Sequence, residues 1–194
     1  MSAALQLHDD REQVYSRLKP TMPDRLSPNG EWLACMTASW CAGQGVLPDA
    51  MGLECEQFNE LTDRLFPGSR IIPDHAPSGS KLDFSRMLEK EDLVNLLKQF
   101  SKPDIIEIDW IIGVIVAGSL GSDHLWQDLG LWSRSQLSAM LQYNFPELAA
   151  KNVKDMKWKK FLYKQLCEAE GLYLCRVPSC EVCIDYAKCY GSEE

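Results

Sequence analysis

The run Trp110-Ile-Ile-Gly-Val-Ile-Val-Ala-Gly-Ser-Leu120 is the longest apolar stretch in a chain of 194 residues. Glu107 and Asp109 bound it on one side and Asp123 on the other. Its eleven residues are too few to cross a bilayer, which takes about 20, so the run is read as a buried core helix. The chain is 45% hydrophobic and 25% charged, enough for one sizeable core or two small ones. One compact unit built around this helix is the expected solution.

The punctuation on either side is helical. Residues 4–19 read as a polar helix stopped by Lys19-Pro20, and residues 20–30, with three prolines, as a linker. A second helix is expected over about 31–41, ended by Gly43 and Gly45, and a third over 53–66, stopped by Phe66-Pro67-Gly68. Residues 67–81 hold three prolines and two glycines with little periodicity and read as the longest irregular segment. Over 84–100, Leu88, Leu93, Leu96 and Leu97 restore helical spacing.

Beyond Pro103 the pattern restarts. At an offset of 78, Glu31-Trp32 falls on Asp109-Trp110, Gly43 on Gly121, Leu47 on Leu125 and Gly52-Leu53 on Gly130-Leu131; one insertion later, Phe66-Pro67 falls on Phe145-Pro146. The pattern predicts an all-α fold with a pseudo-repeat of helical hairpins, about 31–100 and 109–171, packed on each other. Residues 1–30 then form an N-terminal helix and linker, 31–171 the helical body, and 172–194 a cysteine-rich loop.

The second copy differs from the first in polar content. His124 stands where the first copy has Val46, with Gln127 and Asp128 in the same glycine-bounded turn. A lone histidine among apolar residues is more often a hydrogen-bonded structural group than a ligand. Ser133 with Gln136 offers a capping box for the next helix. A last helix is expected over 153–170, with Trp158, Leu162 and Leu166 on one side. Lys157, Lys160 and Lys164 form a stripe on the other side, which Cys167 continues. Residues 151–164 carry six lysines against one Asp in a chain of net charge −8. A solvated helix face and a positive approach surface for an anion, an anionic cluster or an acidic partner both account for it.

Four of the eight cysteines fall in Cys175-Arg-Val-Pro-Ser-Cys180-Glu-Val-Cys183-Ile-Asp-Tyr-Ala-Lys-Cys189, spaced C-x4-C-x2-C-x5-C. A C-x-x-C pair aims two thiolates at one centre, and the outer cysteines complete four-fold thiolate ligation. Disulfides are the competitor, but the N-terminus has no signal-peptide pattern, which places the chain in a reducing cytoplasm. Structural zinc sites usually join two close pairs across an intervening segment, so one pair with two outliers favours an iron–sulfur cluster. Such a loop resembles the cluster loop of base-excision DNA glycosylases. Their catalytic Lys/Asp context is absent, however, and the acidic balance is the wrong sign for phosphate-dominated binding. A structural or electron-transfer site of iron–sulfur or zinc type stays open as the alternative.

Taken together, His124-Leu-Trp-Gln-Asp128-Leu-Gly-Leu131, Met156-Lys-Trp-Lys-Lys-Phe161, Gln165-Leu-Cys167-Glu168 and the cysteine run resemble the NifQ family, nitrogen-fixation proteins of the molybdenum route to the nitrogenase iron–molybdenum cofactor. The resemblance covers roughly residues 110–191 and is looser over the first hundred. One departure is Tyr190-Gly191 where the family pattern has Phe-Gly. The resemblance implies a carrier rather than an enzyme. It implies an iron–sulfur cluster that incorporates molybdenum, with molybdate as metal source and the NifEN scaffold with NifH as acceptors. Cys175, Cys180, Cys183 and Cys189 carry over as cluster ligands, and Cys167 or His124 completes the molybdenum shell in this reading. No nucleic acid or membrane partner is expected.

Overall fold

Two helices open the described chain, each on a side-chain cap. Asp10 accepts the Gln13 N–H at 2.9 Å to start α1 (Arg11–Leu18), and Ser27 accepts the Gly30 N–H at 3.1 Å to start α2 (Pro28–Cys41). Pro28 takes the first position of α2, where its missing N–H has no partner to lose, so the helix begins before the expected 31. The computed structural model describes residues 10–73, 75–77, 79, 90–169, 171 and 186–190. The expected starts at residues 4 and 84 lie outside these.

The remaining helices are α3 (Cys55–Leu65), α4 (Lys90–Gln99), α5 (Ile108–Ser119), α6 (Leu125–Asp128), α7 (Arg134–Asn144), α8 (Pro146–Ala150), α9 (Trp158–Ala169) and α10 (Tyr186–Cys189), with 3-10 turns at Lys19–Thr21 and Asp49–Gly52. Among the described residues the fold is all-α, with ten α-helices and no strand. No helix there is long and apolar enough to cross a membrane.

The apolar run forms α5, and Trp110, Ile111, Ile112 and every residue from Val114 to Ser119 are buried. It packs against α3, α4, α6 and the Asp49–Gly52 turn. Close approach depends on Gly113 and Gly118: a Cβ there would lie 2.5 Å from Leu53 Cδ2 and 2.6 Å from Leu129 Cδ2. Trp40 and Phe58 add an edge-to-face pair at 5.5 Å, and the indole N–H of Trp40 donates to Pro48 O at 3.0 Å.

Helix α9 begins later than the periodicity suggests. Asp155 sits at φ 52° and breaks the chain before Trp158. Asn152 clasps the loop: its Nδ2 donates to Met156 O at 2.9 Å, and its Oδ1 accepts the Met156 N–H at 2.8 Å. Val153, expected inside the helix, is 84% exposed. The capping box at Ser133 forms by half. Ser133 Oγ accepts the Gln136 N–H at 3.2 Å, but Gln136 Oε1 reaches back one residue further, to the Trp132 N–H at 2.8 Å.

Two buried polar contacts join distant parts of the chain. Asn29 on α2 and Asn144 on α7, both fully buried, exchange amide hydrogen bonds of 2.8 and 2.7 Å. Asp128, at 1% exposure, accepts from Lys159 Nζ, which also donates to Gly121 O at 2.8 Å and ties α9 to the turn after α5. Burial pushes the Asp128 carboxyl above its ordinary range, and Lys159 pulls it down without cancelling that.

Replacing Asn29 alone with Leu is expected to cost about 1–3 kcal/mol, because the buried Asn144 Oδ1 loses its donor while Nδ2 keeps Met140 O; replacing both with Leu is expected to cost much less. Urea titration of the two variants distinguishes a pairing role from a packing role. For Lys159→Met the expected loss at neutral pH is about 3–5 kcal/mol, the cost of stranding a buried carboxylate. A raised folded pKa means that Asp128 favours the native state when protonated and loses that contribution as pH rises through the folded value. The deficit of Lys159→Met relative to the parent chain is therefore expected to grow as pH rises from the ordinary carboxylate range toward neutrality. A pH-independent deficit would place the cause elsewhere.

Candidate metal-handling site

Of the four cysteines in the C-terminal run, Cys189 lies in the described residues, and Cys175, Cys180 and Cys183 lie outside them. Cys189 ends α10 and is half-buried. Its position is set from the body of the protein. The Lys157 main-chain N–H donates to Cys189 O at 2.8 Å, and Lys157 Nζ donates to Ala187 O at 3.1 Å. Tyr190 follows, 5% exposed, with its ring stacked on Tyr186 at 4.6 Å and its N–H donating to Tyr186 O at 2.8 Å. An aromatic side chain is what this position uses, so tyrosine serves in place of the expected phenylalanine. These contacts hold the last cysteine of the run against the start of α9.

Beside this anchor lies a cleft of about 440 Å³ lined by Ser122, Asp123, His124, Leu125, Gln127, Lys157, Lys159, Lys160 and Lys188. Three segments far apart in sequence meet there: the turn after α5, the first turn of α9, and α10. His124 is the N-cap of α6, and its N–H donates to Gln127 Oε1 at 3.3 Å. Its imidazole faces the Gln127 N–H in the reciprocal half of a capping box, an arrangement that uses one ring nitrogen as acceptor. The structural and the functional readings of His124 are therefore compatible, because the same residue starts a helix and lines the cleft.

The lysine stripe is divided. Lys157 and Lys160 line the cleft, whereas Lys164 pairs with Glu168 at 3.4 Å further along α9. Cys167 is half-buried and lies seven residues beyond Lys160, about 10 Å along the helix axis at 1.5 Å per residue. Trp158, Leu162 and Leu166 are buried as expected, together with Phe161 and Gln165. Periodicity missed Lys159, which it does not separate from its neighbours; a lysine beside a buried tryptophan was the available signal. Lys188 was missed because only the fold brings α10 to α9.

The N-terminal cysteines behave differently. Burial pushes the Cys35 thiol up to about 11, reinforced by the charge of Glu31, and the Cys41 thiol up to about 12. Both stay protonated at neutral pH and so are poor metal ligands. Among the described residues no group of three or more His, Cys, Asp and Glu is placed to hold a metal ion.

The chain resembles known proteins along most of its length. The NifQ family model matches residues 32–191, so the likeness extends through the N-terminal half as well as the cysteine run. Protein NifQ of Azotobacter vinelandii is 41% identical over 174 residues, which span 85% of this chain and 89% of that protein. Protein NifQ of Klebsiella pneumoniae is 32% identical over 168 residues, 84% of this chain and 99% of that protein. Protein NifQ of Rhodobacter capsulatus is 34% identical over 155 residues, covering 78% and 82%. No solved structure matches. The anchored end of a four-cysteine run, a lysine-lined cleft beside it and a family match that takes in both lead to one assignment: the chain belongs to the NifQ family.

Proposed function

We propose that this protein is a cytoplasmic molybdenum carrier. It binds an iron–sulfur cluster, takes molybdenum into it from molybdate, and supplies that molybdenum to the NifEN scaffold with NifH for the nitrogenase iron–molybdenum cofactor. Family membership, which places the chain in nitrogen fixation, is the observation that carries this reading. It is a donor, not an enzyme.

Cys175, Cys180, Cys183 and Cys189 are the proposed cluster ligands, and the donor chemistry fits: thiolates are soft ligands that hold iron and molybdenum. Cys189 supports the assignment, since it is half-buried, ends a short helix and is fixed to the body through Lys157. A bound cluster would supply iron and sulfide soft enough to take up molybdenum, with the four cysteines holding it. Lys157 holds Cys189 through its main chain, and the cleft lysines keep positive charge beside it. His124 and Cys167 are proposed at the molybdenum end, and Lys157, Lys160 and Lys164 in attracting the anion or the acceptor. On the same reading residues 172–194 are the metal-binding unit, 31–171 the body and 1–30 its N-terminal extension.

The body is further proposed to be two copies of one helical unit. In support, α2 and α5 end at Cys41 and Ser119, and α3 and α7 have equal lengths of 11 residues. Phe66 and Phe145 close α3 and α7 with matching φ, ψ of −134°, 52° and −133°, 58°.

Anaerobic purification followed by metal analysis tests the carrier reading directly. Iron and molybdenum are expected together, in fixed ratio, in a brown protein. Iron without molybdenum would support an electron-transfer or structural cluster, and a colourless zinc protein would overturn both. In Cys180→Ala or Cys183→Ala, cluster binding is expected to fail while far-UV circular dichroism stays helical; full metal occupancy would refute the ligand assignment. In His124→Ala or Cys167→Ala, bound molybdenum is expected to fall more than bound iron. Equal loss of the two metals, or none, would remove these residues from the molybdenum end.

A further inference from the structure

We propose that the cleft between the turn after α5, the start of α9 and α10 is a binding site for a free tetrahedral dianionic oxyanion, with Lys157, Lys160 and Lys188 as its cationic donors. The inference deepens the carrier reading and rests on it only for which oxyanion is bound in the cell. Sulfate and phosphate share the shape and charge of molybdate, and the test below separates them.

Charge supplies the first argument. Among the described residues the cleft is lined by four lysines and one carboxylate, Asp123, and a second carboxylate, Asp128, lies directly behind it on Lys159. Counted over the described residues, four cations against two anions leave a formal +2, in a chain whose net charge is −8. A site of that charge favours a dianion over a monoanion of equal shape, because the Coulomb attraction scales with the ligand's charge.

The second argument is chemical class. Among the described lining residues Leu125 is the one apolar side chain, and the one aromatic ring is the imidazole of His124, which is turned to capping α6. Sites for drug-sized organic ligands are mostly apolar and aromatic, with a few polar groups. Among the described residues this lining offers a nucleobase or a peptide side chain little to pack on beyond Leu125 and the His124 ring. Lysines are compact point charges with three rotatable donors each, suited to an anion that presents oxygens in every direction. Ser122 and Gln127 add uncharged donors. At about 30 Å³ per water, 440 Å³ accommodates a small oxyanion together with water retained around it.

Rigidity comes third. Lys159 is fixed to Gly121 O and to buried Asp128, which locks the first turn of α9 to the loop that carries Ser122 and His124. Lys157 Nζ, donating to Ala187 O, fixes α10 on the other side. Lys159 thus acts as a positioning residue, and the cationic donors are set before the ligand arrives, which lowers the ordering cost of binding. Lys188 precedes Cys189, so the anion is held next to the last cysteine of the run.

Equilibrium dialysis of the purified full-length chain against molybdate at low ionic strength is the test. Saturable one-to-one binding is expected, weakened about tenfold in Lys160→Gln and in Lys188→Gln. Lys98→Gln, on an exposed lysine near Asp109, is expected to bind as the parent chain does. Tungstate, sulfate and phosphate are expected to compete, and their relative affinities identify the oxyanion taken in the cell. Perrhenate, a tetrahedral monoanion of similar shape, is expected to bind at least about tenfold more weakly. No saturable binding, affinities unchanged in both lysine variants, or perrhenate binding as tightly as molybdate would overturn the proposal. Both substitutions are at exposed positions, and the melting temperature checks that each variant is folded. Should the variants lose oxyanion binding while the cluster-loaded chain takes up no molybdenum, the carrier reading falls and the cleft stands. Normal molybdenum loading with unchanged oxyanion affinity in both variants has the opposite meaning.

Discussion

A helix that is apolar on every side must be covered on every side, and that demand arranges most of this protein. Helix α5 buries residues from Trp110 to Ser119 with Gly113 as the half-buried exception, and Gly113 and Gly118 let Leu53 and Leu129 press against its backbone. Polar chemistry is thereby displaced to the ends of the helix. At one end buried Glu107 accepts from Ser27 Oγ at 3.0 Å; at the other the chain turns at Gly121 into the Ser122–His124 segment that lines the cleft. Gly121 is crowded, since a Cβ there would lie 2.3 Å from Asp128 Cγ. The position of the cleft follows from the position of α5, because the turn leaving the helix is the first place where side chains can face water.

The Asp128–Lys159 contact then carries that geometry across to α9. A buried ion pair is seldom a source of net stability, since desolvation offsets much of the attraction, and the raised pKa of Asp128 agrees with that sign. What the pair provides is position. It sets one wall of the cleft against another, while Lys157 sets the third through α10. Lys159 serves the frame, Lys157 both frames and lines the cleft, and Lys160 faces it, so the stripe of Lys157, Lys160 and Lys164 drawn from sequence alone leaves out the lysine that fixes the geometry.

Much of the framework was legible because it depends on local physics. The apolar run, the glycine and proline stops, and the buried face of Trp158, Leu162 and Leu166 follow from periodicity and backbone preference, and each lies close to where these rules place it. The misses share a cause as well. Pro28 reads as a breaker in isolation, yet it starts α2 because Ser27 precedes it as a cap. The start of α9 is displaced to Trp158 by Asp155 in the left-handed region and by the Asn152 clasp, neither of which hydrophobic spacing records. The cleft was only half legible: His124, Lys157 and Lys160 were marked by type and spacing, but Lys159 and Lys188 acquire meaning only when Asp128 and α10 are brought beside them.

An acidic protein with a basic cleft has a particular logic if its task is to collect a small anion. The net charge of −8 repels polyanions such as nucleic acids, whose binding depends on many phosphate contacts at once. A small oxyanion samples a shorter range: at physiological ionic strength screening acts over about 8 Å, so near the cleft the local lysines outweigh distant carboxylates. Selection of a small anion over a large one can thus arise without a tightly fitted pocket, from the contrast between local and global charge. The thiolate run adds negative charge of its own when it binds a cluster, and the lysines at 157, 160 and 188 lie where they would offset it beside Cys189. On the carrier reading the same cations serve twice, drawing the oxyanion in and offsetting the negative charge of the thiolate run beside Cys189.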